Sequence, residues 1–262
     1  MAARGRTTWA ALAVTVLSGC SAAVTPPAAH TAHTAKPIPQ PTNAVLSPPL
    51  PPAPTRTVFG RTVRGRPLIA LWSGSPHALR RILVVGVIHG DEAAGLPVAQ
   101  AFARLPVAAG ARVLVVPDLN PDGFALHSRQ NAHGVDLNRN FPYRWQPIGH
   151  AGDQQYSGTT SLSEPESLAM AALIAHFRPT ISIWFHQPVG VVDESGGAVA
   201  IERRFAHLLG EPLRRLARYR GSAASWQNLL LPGSSAFVVE LPRHVGSALR
   251  GRALSALRDL ER

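Results

Sequence analysis

The chain has 262 residues, 45% of them apolar, enough for one substantial globular domain with extensions. Its formal charge of +11 reflects 26 basic against 15 acidic residues, but the arginines are scattered, with no dense basic block and no interleaved aromatics, which argues against a nucleic-acid surface. Cys20 is the only cysteine, so an internal disulfide and a thiolate metal site are both excluded, and any metal must be held by histidine and carboxylate.

Arg4 and Arg6 precede a short apolar run from Trp9 to Leu17. That run is about half of the roughly 20 residues that span a bilayer, so it reads as a secretory signal. The order Leu17, Ser18, Gly19, Cys20 resembles the lipobox of bacterial lipoproteins, which implies a signal over residues 1–20, a lipid on Cys20 and an extracytoplasmic, membrane-anchored protein. Residues 21–55 are rich in Pro, Ala and Thr and nearly free of charge and of large apolar groups. Such a segment cannot bury enough surface to offset the entropy of ordering it, so it is expected to be a disordered stalk. His30 and His33 are spacer residues within it.

The folded domain is expected over residues 56–262. The run TVFGRTVRGRPLIALWSG predicts two strands around a turn at Gly65, and RILVVGVI predicts a buried strand followed by a helix over about residues 93–103. ARVLVV predicts a strand that ends in a turn-rich loop at Asn120, Pro121, Asp122 and Gly123. Ser163 and Glu166 have the spacing of a capping box for a helix over about residues 164–177. ISIWFHQ predicts a strand, residues 200–219 contain a helix, AFVVEL predicts another strand, and residues 221–234 are expected to form a loop. A last helix carries Val245, Leu249, Ala253, Leu257 and Leu260 on one face. This alternation predicts a single three-layer α/β domain with a mixed, mostly parallel twisted sheet flanked by helices.

Three apolar runs end alike: Ile88 into His89, Phe185 into His186 and Val239 into Glu240. Ligands bind beyond the carboxyl ends of the strands in open α/β sheets, so these residues are expected to converge. His89 and Glu92 are spaced to approach one ion from a turn, and His186 supplies a third ligand. Two His and one Glu form the ligand set of a catalytic zinc site, which leaves Glu240 as an acid/base carboxylate. In HSRQNAHGVDLNRNFP, Arg139 offers a fork suited to a carboxylate, Asn138 a neighbouring donor and Arg129 a cation for an oxyanion.

His89 with Glu92, NPDG, RQN, GVDLNRNF, SEPE, HQP and VVELP occur in the order of the zinc metallocarboxypeptidase family, and the chain is similar above all to its compact bacterial members of the murein peptide amidase type. The resemblance runs from about Arg61 to the C-terminus. It implies one Zn2+ per chain on His89, Glu92 and His186, with Glu240 as general base and Arg129 polarising the scissile carbonyl. Asn138 and Arg139 would hold the substrate's terminal carboxylate, and Asp136 would orient a zinc-bound histidine, as such partners commonly do. Larger members carry a substrate-contacting tyrosine some twenty residues before the glutamate, a place that Tyr219 could fill. The short interval from Glu92 to His186 implies a more open cleft. Asp193 is a candidate either for the amino end of a zwitterionic side chain or for holding a turn, and Asp91 has no assigned role. The implied protein is a monomeric, lipid-anchored peptidase acting on short cell-wall peptides, perhaps at a γ-D-glutamyl to diaminopimelate bond, with no nucleic-acid partner. Two rivals stand beside it: an N-acyl amino-acid deacylase of the succinylglutamate desuccinylase or aspartoacylase type, and a non-catalytic wall-binding lipoprotein.

Overall fold

The structure, a computed structural model, describes residues 55–262. The expected signal segment with Cys20, and residues 21–54 of the stalk expected over residues 21–55, lie outside the described residues, whereas Thr55 opens the first strand. A hairpin opens the domain: β1 (Thr55–Arg61) and β2 (Pro67–Gly74) pair antiparallel across the Gly65 turn. Next come β3 (Arg80–Val85), α1 (Gly95–Phe102), β4 (Ala111–Val116), α2 (Pro121–Leu126) and α3 (Pro165–Phe177). The second half contains β5 (Ile181–His186), β6 (Val191–Asp193), α4 (Val199–Leu209), β7 (Leu213–Arg214), α5 (Ala223–Leu230), β8 (Ser235–Glu240) and α6 (Ser247–Asp259).

One sheet runs β1-β2-β4-β3-β5-β8-β6-β7. Its centre, β4-β3-β5-β8, is parallel, while β2 pairs antiparallel with β4 and β6 antiparallel with β8. The central strands β4 and β5 are buried along their whole length, because parallel strands joined by helical crossovers have both faces covered. On one face Leu83, Val85, Leu114 and Trp184 pack with Met170, Ile174 and Phe177 of α3 and with Trp226 of α5. On the other, Ile82, Val84, Ile183 and Phe237 pack with Val98 of α1, Phe205 of α4 and Ala253 and Leu257 of α6. These are the three expected layers. The apolar stripe of α6 recurs every three to four residues, the helical period, so burying that stripe orients the helix.

Several local expectations need correction. The turn-rich stretch after β4 is a short helix, α2, because the Asn120 side chain accepts a hydrogen bond from Gly123 N and caps it, with Pro121 in its first turn. The expected loop over residues 221–234 contains α5, capped by Ser222. The capping box does not form: Glu164 is the N-cap of α3, the Ser163 hydroxyl is bonded to Glu164, and the Glu166 carboxylate accepts from Val63 N and Asn131. Donors from distant positions of the same chain, Val63 N and the Asn131 amide, take the Glu166 carboxylate in place of the local reciprocal bond. The short strands β6 and β7 were not expected, since each is too brief to leave a periodic signal.

Candidate metal centre and active site

From the middle of the sheet β3 leads to β4 on one side and β5 on the other, so a crevice opens beyond their carboxyl ends, the place where open α/β sheets bind ligands. β3 ends at Val85; residues 86–88 carry the buried chain on to His89 and a turn closed by Glu92 N donating to His89 O. That turn lies against α2 so closely that a Cβ on Gly90 would stand 2.0 Å from the carbonyl carbon of Gly123, so only glycine fits. Asn120 braces the contact, its amide donating to Ile88 O and to Arg129 O.

The turn sets His89 Nδ1 2.9 Å from Glu92 Oε2. His186, the last residue of β5, brings its Nδ1 2.9 Å from the same oxygen and 3.1 Å from His89 Nδ1. All three residues are buried, with ligand atoms within 4.8 Å of one another. His89 Nε2 lies 3.0 Å from Asp136 Oδ1. An ionised carboxylate only accepts, so Nε2 carries the proton and Nδ1 presents its lone pair. Burial alone would raise the Asp136 carboxyl, but His89 and Arg129 hold it well below the usual range. Burial likewise opposes ionisation of Glu92, and His89 and His186 overcome it. Two imidazole nitrogens this close around a carboxylate oxygen need a shared cation or proton between them. The residues therefore fit zinc.

Arg129 donates from Nε to Asp136 and from Nη1 to Glu92, leaving Nη2 unengaged by either. Arg139 is buried beside this group, with its guanidinium 4.2 Å from the centre of the half-exposed Tyr219 ring. The Asn138 side chain accepts from Ala223 N at the start of α5. Gly221 closes the packing here: its φ is +73°, and a Cβ would stand 1.9 Å from Arg139 O. Glu240 ends β8 opposite His186 in the parallel register, and its Oε2 is buried with no hydrogen-bond partner. Burial pushes its carboxyl up, aided by the charge of Glu92 and opposed by His186, His89 and Arg129. A cavity of about 260 Å3 is lined by His89, Glu92, His186, Arg129, Asn138, Arg139, Tyr219 and Glu240, while Asp136 lies behind His89 and Arg129.

The family model described as zinc carboxypeptidase matches residues 51–192, a little over half of the chain. The chain belongs to the zinc carboxypeptidase family. Its members are zinc metallopeptidases, and His89, Glu92 and His186 are the group in this domain able to hold the ion. Murein peptide amidase A of Escherichia coli (strain K12) is 35% identical over 148 residues, 52% of this chain and 60% of that relative. The Vibrio campbellii protein of the same name is 32% identical over 151 residues, 53% of this chain and 60% of its own. The chain thus spans about 60% of the length of these curated relatives. Among solved structures, murein-tripeptide amidase MpaA from Escherichia coli O157 superposes with a TM-score of 0.65 at 28% identity, over 79% of this chain and 92% of that one. A carboxypeptidase A from Helicoverpa armigera shares the fold alone, with a TM-score of 0.69 at 18% identity over 79% of this chain and 68% of that one. The family match ends at residue 192, so Tyr219 and Glu240 join the centre through the tertiary structure.

Every site residue expected within the described chain lies at this centre. Asp193 is found in its turn-holding role: Leu216 N, Ser195 Oγ and Arg218 Nη1 occupy its carboxylate. Asp91 is exposed and takes no part in the metal group. Sequence reasoning missed the bracing roles of Asn120 and Gln187. The Gln187 side chain accepts from Ala94 N and donates to Pro242 O, tying the metal-ligand turn to the chain after β8. Asn before Pro is a cap signal that could have marked Asn120, whereas no local pattern marks Gln187.

Proposed function

We propose that this protein is an extracytoplasmic amidase that hydrolyses the amide bond next to a free carboxylate in short peptidoglycan-derived peptides. Bound by His89, Glu92 and His186, zinc supplies a Lewis acid that acidifies water and polarises a carbonyl. Glu240 takes the proton of the attacking water and returns it to the leaving amine as the C–N bond breaks. Its buried, unpartnered Oε2 and raised carboxyl suit a group that must both accept and give a proton. Arg129 Nη2 donates to the oxygen that gains charge as the carbonyl becomes tetrahedral. Asn138 and Arg139 hold the terminal carboxylate, and the Tyr219 ring keeps the Arg139 fork in plane. Asp136 fixes the tautomer of His89.

The observation that carries this reading is the convergence of a two-histidine, one-carboxylate group with an unpaired buried glutamate and two arginines in one cavity. The cell-wall substrate is supported by likeness to the amidases, and the tether through Cys20 by the residue order before it. Glu240→Gln tests the mechanism: hydrolysis of a muramyl tripeptide should fall by a factor of about 10²–10⁴ with zinc content unchanged. Unchanged turnover in that variant would overturn it.

A further inference from the structure

The cavity is also lined by Asp193, Ser195, Leu216, Arg218, Ser222 and Ser225, none of which the mechanism above uses. Asp193 is buried and each of its oxygens already accepts two hydrogen bonds. Oδ1 takes them from Leu216 N at 2.8 Å and Arg218 Nη1 at 3.1 Å, and Oδ2 from Ser195 Oγ at 2.7 Å and Arg218 Nη1 at 2.8 Å. It has no acceptor capacity left for a substrate ammonium. Arg218 spends only Nη1 on this pair and on Leu216 O; its Nη2 is buried without a partner, as is Nε of Arg139 in the same cavity. Two guanidinium nitrogens are therefore left without an acceptor here. An amine entering beside Asp193 would find both of its oxygens occupied and the Arg218 cation next to them, and an apolar side chain would leave the guanidinium unpaired, whereas a carboxylate satisfies it with charge-assisted bonds.

We propose that Arg218, held in place by Asp193, is a specificity-determining residue that pairs with a second carboxylate, carried on the side chain of the substrate's terminal residue. The enzyme then selects peptides ending in an amino diacid over those ending in a neutral, apolar or basic residue. This rests on the reading above, in which Asn138 and Arg139 take the terminal α-carboxylate.

The test is kcat/KM of the zinc-loaded protein on acyl-dipeptides that differ only in a terminal Glu, Gln, Leu or Lys. Glu should exceed its near-isostere Gln by at least about 10-fold, and Lys should be the poorest. In Arg218→Met the Glu/Gln ratio should fall to near one, while Arg218→Lys, which keeps a charge, should retain part of it. Equal rates on Glu and Gln in the unaltered protein, or a ratio that survives Arg218→Met, would overturn the proposal. Hydrolysis of any peptide in the series upholds the amidase reading whatever the preference. If none is cut, thermal shift decides the Arg218 proposal separately: N-acetyl-glutamate should stabilise the unaltered protein more than N-acetyl-glutamine, with the difference lost in Arg218→Met. Equal shifts would overturn it.

Discussion

One fully buried carboxylate, Asp136, serves three parts of the centre. It accepts from His89 Nε2, from Arg129 Nε and from Asn138 N, so it sets the tautomer of a metal ligand, the place of a guanidinium and the start of the turn that presents Asn138 and Arg139. Asp136→Asn retains the shape but brings an amide donor or a neutral acceptor to His89, which weakens the preference for a lone pair on Nδ1. Zinc affinity is expected to drop about 10–100-fold, read by competition with a chelating dye. Affinity equal to that of the unaltered protein would show that Asp136 does not orient the ligand. At this scale much was legible. The spacing of His89 and Glu92 and the crowding of Asn and Arg between Arg129 and Asn140 are unusual enough to point to chemistry by themselves. Arg218 was not legible, because one arginine among 26 basic residues carries no signal until its carboxylate partner is known.

Among the elements, α4 holds a second buried acid whose consequences are for stability. Glu202 is fully buried, accepts from Ser195 N through Oε1, and has no partner for Oε2. Burial, with Asp193 and Glu194 nearby, pushes its carboxyl up to about 7. The folded chain thus holds a proton that the unfolded chain releases at an ordinary carboxyl pKa. The stability associated with that proton is fully present at pH 4 and lost as pH rises through about 7. Glu202→Gln removes the titration, so the variant should gain on the order of 3 kcal/mol over the unaltered protein at pH 8 relative to pH 4, measured by urea denaturation at both. A pH-independent difference would contradict this. The longer helices were read correctly from sequence, α6 from its apolar period and α3 from the residues at its start. Those that fail, α5 and the capping box before α3, are places where a short segment's local preference yields to partners far along the chain, such as Val63 and Asn131 for Glu166.

For the whole molecule, the metal centre joins segments that begin at residue 89 and end at residue 240, so zinc binds the folded state and little else. At free zinc 100 times Kd, binding should stabilise the domain by about 2.7 kcal/mol. Chelation should then lower Tm by roughly 5–10 °C in scanning calorimetry, given a shift of about 2–4 °C per kcal/mol for a domain of this size. A Tm indifferent to chelator would show that these ligands do not take up zinc in the folded protein. Sequence by itself determined the α/β class, the apolar stripe of α6, the order of the longer helices and strands and the residue types able to hold a metal, because periodicity and side-chain chemistry are local properties. Only the tertiary structure decided that His186 and Glu240 end adjacent parallel strands, that Gly90 meets Gly123, and that Asp193 is consumed by Arg218. Each of these depends on strand order and register, which arise from packing residues that lie tens to more than a hundred positions apart.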